Sequence, residues 1–411
     1  MVDQMRWTNA LSTRPSLESA ITEVVERALD SLGCKADLGL VFISSAFTSE
    51  YSRLLPLLQE RLSVPALIGC SGGGIIGMNP QGQTQEIEES PALSLSLAHL
   101  PKVDVEAFHL APATLPDLDS PPDAWVELTN ISPSKTPQFI LLSDPFTEGV
   151  NDLLQGLDFA YPQSVKVGGQ ASGSSAMSGK IGLFCNNQMY REGTVGVALS
   201  GNVVMETIVA QGCRPIGKPY TVSKGERNIL LELEDLPPLF VLQNLIEGLS
   251  EQDRQLAQRA LFVGIARDEF KQDLEQGDFL IRTLLGVDPQ AGAIAIGARI
   301  RPGQRVQFHL RDAQTSREDL EWLLQCYQQQ TKENQEPAGA LMFSCLGRGE
   351  GLYGKPNFDS QLFSHYLSDI PIGGFFCNGE IGPVGGSTFL HGFTSVFGIC
   401  RQATEESRRS E

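Results

Sequence analysis

One order of segments occurs twice in the first half of the chain, about a hundred residues apart, and this self-similarity limits the architecture more than any local pattern. SSAFTSEYSRLL (Ser44–Leu55) lines up with LSDPFTEGVNDLL (Leu142–Leu154). Each follows an apolar strand and opens a helix at a threonine, Thr48 or Thr147. Each helix leads to a short strand and a glycine turn, IGCSGGG (68–74) in one copy and VGGQASG (Val167–Gly173) in the other. Antiparallel strands fill out the copies: Leu93–Leu97 and Val103–His109, then Ile181–Cys185, Val195–Leu199 and Val203–Val209. Their short connections suit hairpins better than helical crossovers.

The same order returns near the C-terminus as FSCLGRGEG (Phe343–Gly351), a helix near Phe358–Leu367, a strand Ile372–Phe376 and the turn CNGEIGP (Cys377–Pro383). Between the copies, the pattern predicts a long helix over Phe240–Gln258, a strand Leu261–Ala266, two adjacent strands Ala293–Arg299 and Arg305–Arg311 flanking the turn Arg301-Pro302-Gly303, and a helix Ser316–Thr331. An N-terminal helix starts after Ser16 and stops at Gly33. The expectation is an α/β (mixed α+β) chain with mixed sheets, built from repeated helix–strand–helix–strand units plus antiparallel strands. Its domains are 1–235, holding two copies and the N-terminal helix, and 236–401, with 402–411 a charged frayed tail.

The 411 residues exceed what one hydrophobic core usually organises, and 41% hydrophobic residues suffice for buried cores. A formal net charge of −18 argues against nucleic acid as partner, since a protein that reads phosphates presents a basic face. No apolar run reaches the roughly 18 residues of a membrane span, and the first residues lack a signal-peptide core, so the expected location is the cytoplasm. The eight cysteines are scattered without a C-x-x-C pair and the five histidines lack ligand spacing, so neither a metal nor a cofactor is expected.

Three motifs fail on their surroundings. GCSGG (Gly69–Gly73) matches a nucleophile elbow, but no helical pattern follows Ser71. GCRPIGKP (Gly212–Pro219) imitates a phosphate loop, yet Pro219 replaces the metal-binding hydroxyl. GEGLYG (Gly349–Gly354) fits a dinucleotide turn, but Pro356 interrupts the helix that must follow.

The C-terminal turns carry more chemistry. Cys345, Arg348 and Gly349 follow one strand, and Asn378 and Glu380 follow the next. If those strands are neighbours, these groups meet at the sheet edge where open α/β sheets bind ligands. Arg348 suits a ligand carboxylate, and Glu380 an ammonium or hydroxyl. The alternative is structural: an Arg348–Glu380 ion pair and an inert Cys345 thiol. A second candidate surface is the turn at Cys70, Ser71 and Gly72, with Ser172 from the second copy.

These segments resemble the FIST family of intracellular sensory proteins. LGLVFISSAFT (Leu38–Thr48), GCSGGGIIG (Gly69–Gly77) and QGCRPIGKP (Gln211–Pro219) are similar to its FIST N module. GALMFSCLGRG (Gly339–Gly349) and PIGGFFCNGEIGP (Pro371–Pro383) are similar to FIST C. The resemblance implies a sensory protein that binds a small molecule, an amino acid or another small carboxylate. As the sequence shows no recognisable partner module, the expectation is a stand-alone protein that signals through a separate one. Two alternatives remain: an enzyme with Cys345 as nucleophile or Glu380 as general base, and a protein-interaction scaffold without a ligand.

Overall fold

The computed structural model describes residues 4–173, 181–268, 271–274, 277–331 and 336–403. The chain forms two compact units, Met1–Val209 with Leu323–Glu411, and Ala210–Trp322.

The first unit contains three repeats on one plan. The first runs β1 (Arg6–Ser12), α1 (Leu17–Leu32), β2 (Leu38–Ser44), α2 (Tyr51–Gln59), β3 (Ala66–Gly72), the hairpin β4 (Gly74–Met78) and β5 (Thr84–Glu88), and β6 (Leu93–His99). The second runs β7 (Val103–Leu110), α3 (Pro122–Thr129), β8 (Gln138–Ser143), α4 (Val150–Ala160), β9 (Lys166–Gln170), the hairpin β10 (Leu183–Cys185) and β11 (Gln188–Tyr190), and β12 (Thr194–Gly201). The third opens with β13 (Val204–Ala210) and is then interrupted by the second unit. That insertion comprises β14 (Arg214–Glu226), β15 (Ile229–Leu233), α5 (Pro238–Glu247), α6 (Glu251–Ala257), β16 (Leu261–Ala266), β17 (Phe279–Asp288), β18 (Ala293–Ile296) and β19 (Arg305–Leu310). The third repeat resumes with α7 (Ala313–Gln330), β20 (Gly339–Cys345), α8 (Gly349–Tyr353), α9 (Phe358–Tyr366), β21 (Ile372–Cys377), the hairpin β22 (Glu380–Val384) and β23 (Ser387–His391), and β24 (Ser395–Arg401).

Each repeat places its parallel pair at the centre of a six-stranded sheet: β2 with β3, β8 with β9, and β20 with β21. The returning strands β6, β12 and β24 lie antiparallel beside them. The hairpins are exchanged. β10–β11 joins β3, β22–β23 joins β9, and β4–β5 joins β21. The edge strands stay within their own repeats: β1 lies on β6, β7 on β12 and β13 on β24. Every sheet is therefore closed by strands remote in sequence, the kind of pairing that carries a high loop-closure cost during folding.

The inner sheet faces share one core that includes Phe42, Ile68, Leu142, Val167, Phe343 and Phe375. Helices α1 and α2 cover the outer face of the first sheet, and α3 and α4 that of the second. Strands enclosed on both faces lose polar alternation, and β2, β3, β8, β9, β20 and β21 are buried at every residue.

The second unit is a closed barrel, β14-β15-β18-β17-β16-β19, around Val222, Leu230, Val263, Ile294 and Phe308. The sequence-derived cut at 235/236 falls inside this unit, between β15 and α5. Of the expected tail 402–411, residues 404–411 lie outside the described residues. Two helices differ from expectation for local reasons. The segment expected as one helix over Phe240–Gln258 breaks into α5 and α6 because the Ser250 hydroxyl accepts the Asp253 amide proton and starts a new helix. Thr48 Oγ1 bonds back to the Ser45 carbonyl in a tight turn, so α2 begins only at Tyr51.

Candidate functional site

Three amide-to-carbonyl bonds put the repeats in register: Ser44 to Ala92 (2.9 Å), Asp144 to Gly193 (2.9 Å) and Cys345 to Thr394 (3.0 Å). Three residues back along the same strands, Val41, Leu141 and Met342 face Gly69, Gly168 and Gly374. A Cβ at any of these glycines would collide with the carbonyl oxygen opposite. Each parallel pair therefore needs a glycine there for the backbones to approach.

One residue further on, Cys70 pairs with Leu183, Phe375 with Ile75, and Gly169 with Glu380. Ile75, Leu183 and Glu380 hold one structural position and each is 0% exposed. Two are aliphatic and the third is a carboxylate. Glu380 Oε2 accepts the Thr394 amide proton at 3.1 Å. The corresponding amides of Ala92 and Gly193 donate to hydroxyls, Ser44 Oγ at 3.0 Å and Thr147 Oγ1 at 2.9 Å. A neutral acceptor does that structural job elsewhere in the molecule, so the amide alone does not call for a buried charge.

The turns after β3, β9 and β21 meet at the ends of the parallel strands. Ser172 Oγ accepts the Gly73 amide proton at 2.8 Å and donates to the Phe376 carbonyl. Ser71 Oγ donates to the Ser172 carbonyl at 3.1 Å and accepts from the Gly182 amide at 3.2 Å. Asn378 Nδ2 donates to the Ala171 carbonyl at 3.2 Å, and its amide to the Gln170 carbonyl at 3.1 Å. Thus Ser71, Ser172 and Asn378, one from each repeat, lie in a single knot of turns. Cys70, Ser71 and Gly72 are buried, whereas Asn378 is exposed. A Cβ on Gly73 would strike the side chain of Leu346, so the loop after β20 borders the same knot. Leu346 is an exposed aliphatic residue there.

Cys345 is buried and pairs in register with Cys377. Burial pushes the Cys377 thiol well above its ordinary range, with Glu380, Cys70 and Cys345 adding to the shift, and burial alone does the same to Cys70. Thiols held in this way keep their protons at neutral pH and are poor nucleophiles. The buried Ser71 hydroxyl is already engaged in two bonds, unlike the exposed serine of a nucleophile elbow.

Arg348 and Gly349 face groups of the chain itself. The Arg348 guanidinium is wholly buried and grips Asp359 with two bonds, Nε to Oδ2 at 2.6 Å and Nη2 to Oδ1 at 3.0 Å. Tyr353 accepts a further Arg348 proton at 2.6 Å. A Cβ on Gly349 would overlap the Glu88 carboxylate, whose Oε1 accepts the next amide, Glu350, at 2.9 Å. The carboxylate expected from a ligand at Arg348 and Gly349 is supplied by Asp359 and Glu88. Sequence reading missed both, because Glu88 lies 262 positions from its partner and no local pattern marks it. Among the described residues, no group of three or more His, Cys, Asp or Glu side chains is placed to hold a metal ion. No helix among them is long and apolar enough to cross a membrane.

The family model for the FIST N domain matches residues 37–236 and that for the FIST C domain matches residues 238–383. An uncharacterized protein of Mycobacterium tuberculosis is 35% identical over 396 residues, covering 96% of this chain and 99% of the relative. An uncharacterized protein of Mycobacterium bovis is 34% identical over 396 residues, covering 96% and 98%. An F-box/LRR-repeat protein of Arabidopsis thaliana is 30% identical over 152 residues, 32% of this chain and 28% of that protein.

Proposed function

Since the chain belongs to the FIST family, with both a FIST N and a FIST C domain, we propose that it is a sensory protein that binds a small molecule at the strand ends of its third repeat. FIST domains are associated with sensory small-ligand binding. The observation that carries the reading is Glu380, a carboxylate in the position that Ile75 and Leu183 fill in the sibling repeats. A carboxylate there presents acceptors that the aliphatic residues of the sibling repeats do not, and a ligand ammonium or hydroxyl is the donor this reading assigns to it.

The ligand class is an amino acid or another small carboxylate. Glu380 would take an ammonium or hydroxyl. Because Arg348 is committed to Asp359, the ligand's carboxylate would be met by backbone amides of the glycine turns, which can cradle anions. Cys345, Gly349 and Arg348 then shape the loop, while Asn378, Ser172 and the 70–72 turn border the site. In this proposal the protein works in the cytoplasm, where its free cysteines stay reduced, and passes its signal to a separate protein.

A thermal-shift screen of amino acids, small carboxylates and nucleotides tests the reading. A ligand at about 100 times its Kd stabilises its target by about 2.7 kcal/mol, enough to detect. A hit that disappears in a normally folded Glu380→Gln variant supports the site. Hits that bind the variant equally well would remove Glu380 from it.

A further inference from the structure

The exchanged hairpins are each fastened to a helix of the repeat they join, by three different chemistries. Asn187, in the turn between β10 and β11, takes a bond from Gln59 of α2 at 2.6 Å, amide to amide. Hairpin β22–β23 donates from Thr388 N and Oγ1 to Asp158 of α4 at 2.6 and 2.8 Å, and Lys166 balances that carboxylate at 2.9 Å. Hairpin β4–β5 uses Glu86. Its amide donates to Asn357 Oδ1 at 2.6 Å, and its Oε1 accepts the Ser360 amide proton at 2.8 Å. Glu86 is 4% exposed, and its Oε2 is buried with no hydrogen-bond partner among the described residues.

Acidic groups crowd the buried Glu86 carboxyl. From α9 it faces Asp359, and the exposed His365 stands at the far end of the same helix beside Thr84 and Gln85. Arg348 stands beside this cluster and bonds Asp359 through Nε and Nη2. Helix α8 adds Glu350 and the Tyr353 hydroxyl, and β5 itself adds Glu88. Strands β4 and β21 hold no charged residue. Glu86 and Asp359 are thus neighbouring buried carboxylates, and the guanidinium beside them grips Asp359.

We propose that hairpin β4–β5 is a proton-operated latch: Glu86 docks on α9 in its protonated form, and losing that proton loosens the hairpin. The turn at Gly72–Gly74 leads directly into β4, so the latch ties the order of the strand-end knot to pH. Burial first, then the Asp359 charge, raises Glu86 to about 7, which places the changeover near neutrality. The sign follows from the proton count. A carboxyl whose docked pKa is raised favours the docked state most below its undocked value, and that preference is lost as pH rises through the docked value. The latch stands or falls independently of any ligand at Glu380.

Hydrogen exchange of peptides covering residues 74–88 tests it, in the full chain at pH 6, 7 and 8, corrected for intrinsic rates. Opening of the hairpin should increase about tenfold from pH 6 to pH 8 in the wild type. It should be flat in Glu86→Gln, which keeps the acceptor for Ser360 and removes the titration. A change below about twofold in the wild type overturns the proposal even if the variant fails to fold. So does a variant that keeps the wild-type slope.

Discussion

Glu380 and Leu183 occupy the same place in two sheets of one molecule, each pairing with the residue that follows the close-approach glycine of its neighbour strand. The carboxylate is therefore compared with an aliphatic side chain in an otherwise equivalent setting. The comparison predicts that Glu380→Leu is tolerated. The substitution places an aliphatic side chain where the sibling sheets already bury one, and leaving the Thr394 amide without its acceptor costs about 1–3 kcal/mol. Urea unfolding at pH 7 should show stability within about 2 kcal/mol of wild type, or above it. A loss beyond about 4 kcal/mol would make Glu380 a structural residue.

Arg348 is expected to behave in the opposite way. Arg348→Ala strands a buried Asp359 and should cost about 3–5 kcal/mol. Arg348→Lys should recover only part of this, since an ammonium cannot make the paired contacts of the guanidinium. Denaturant titration of the three proteins checks the order.

The glycines opposite Val41, Leu141 and Met342 should be irreplaceable. Gly374→Ala drives a methyl into the Met342 carbonyl and must displace a central strand, which should cost more than about 3 kcal/mol. Gly286→Ala in the barrel, where a Cβ meets nothing within 4 Å, should change stability by less than about 1 kcal/mol. Melting temperatures of the two variants provide the contrast.

The barrel should weaken in mild acid through His309. Burial, partly offset by a bond to the Gln307 carbonyl, lowers its pKa to about 4 from the ordinary 6.5. A depressed value means the unfolded chain takes up the proton first, so stability falls as pH drops from about 6.5 to about 4. The full loss is on the order of 3 kcal/mol. Exchange protection of strands β16 and β19 at pH 7 and 4.5 measures it, and His309→Gln should flatten the difference.

The repeats were legible in the sequence because each copy carries the same local punctuation, an apolar strand, a threonine turn, a helix and a glycine turn. The third copy was legible too, at 343–383, since its turn glycines are undisturbed by the inserted barrel. The exchange of hairpins was not legible. Nothing local in Ile75 or Leu183 states which strand it will pair with, and both partners lie in other repeats. Distance likewise hid Glu88, 262 positions from Glu350, whereas Asp359 lies only eleven residues beyond Arg348, on α9, and no local pattern marks the two as partners. Glu380 stood out because a carboxylate between glycines at a strand end is a poor core choice. The comparison that gives it weight needed the register of three sheets.

Hydrogen exchange of the whole protein, with and without the strongest hit of the thermal-shift screen, locates the ligand. Added protection is expected at residues 345–349 and 377–380, with a smaller effect at 70–74 and 171–173. No change is expected in the corresponding loop after β2, 45–50. Protection confined to the barrel, or to the groove between Gln83 and His365, would contradict a ligand site at the third repeat's strand ends.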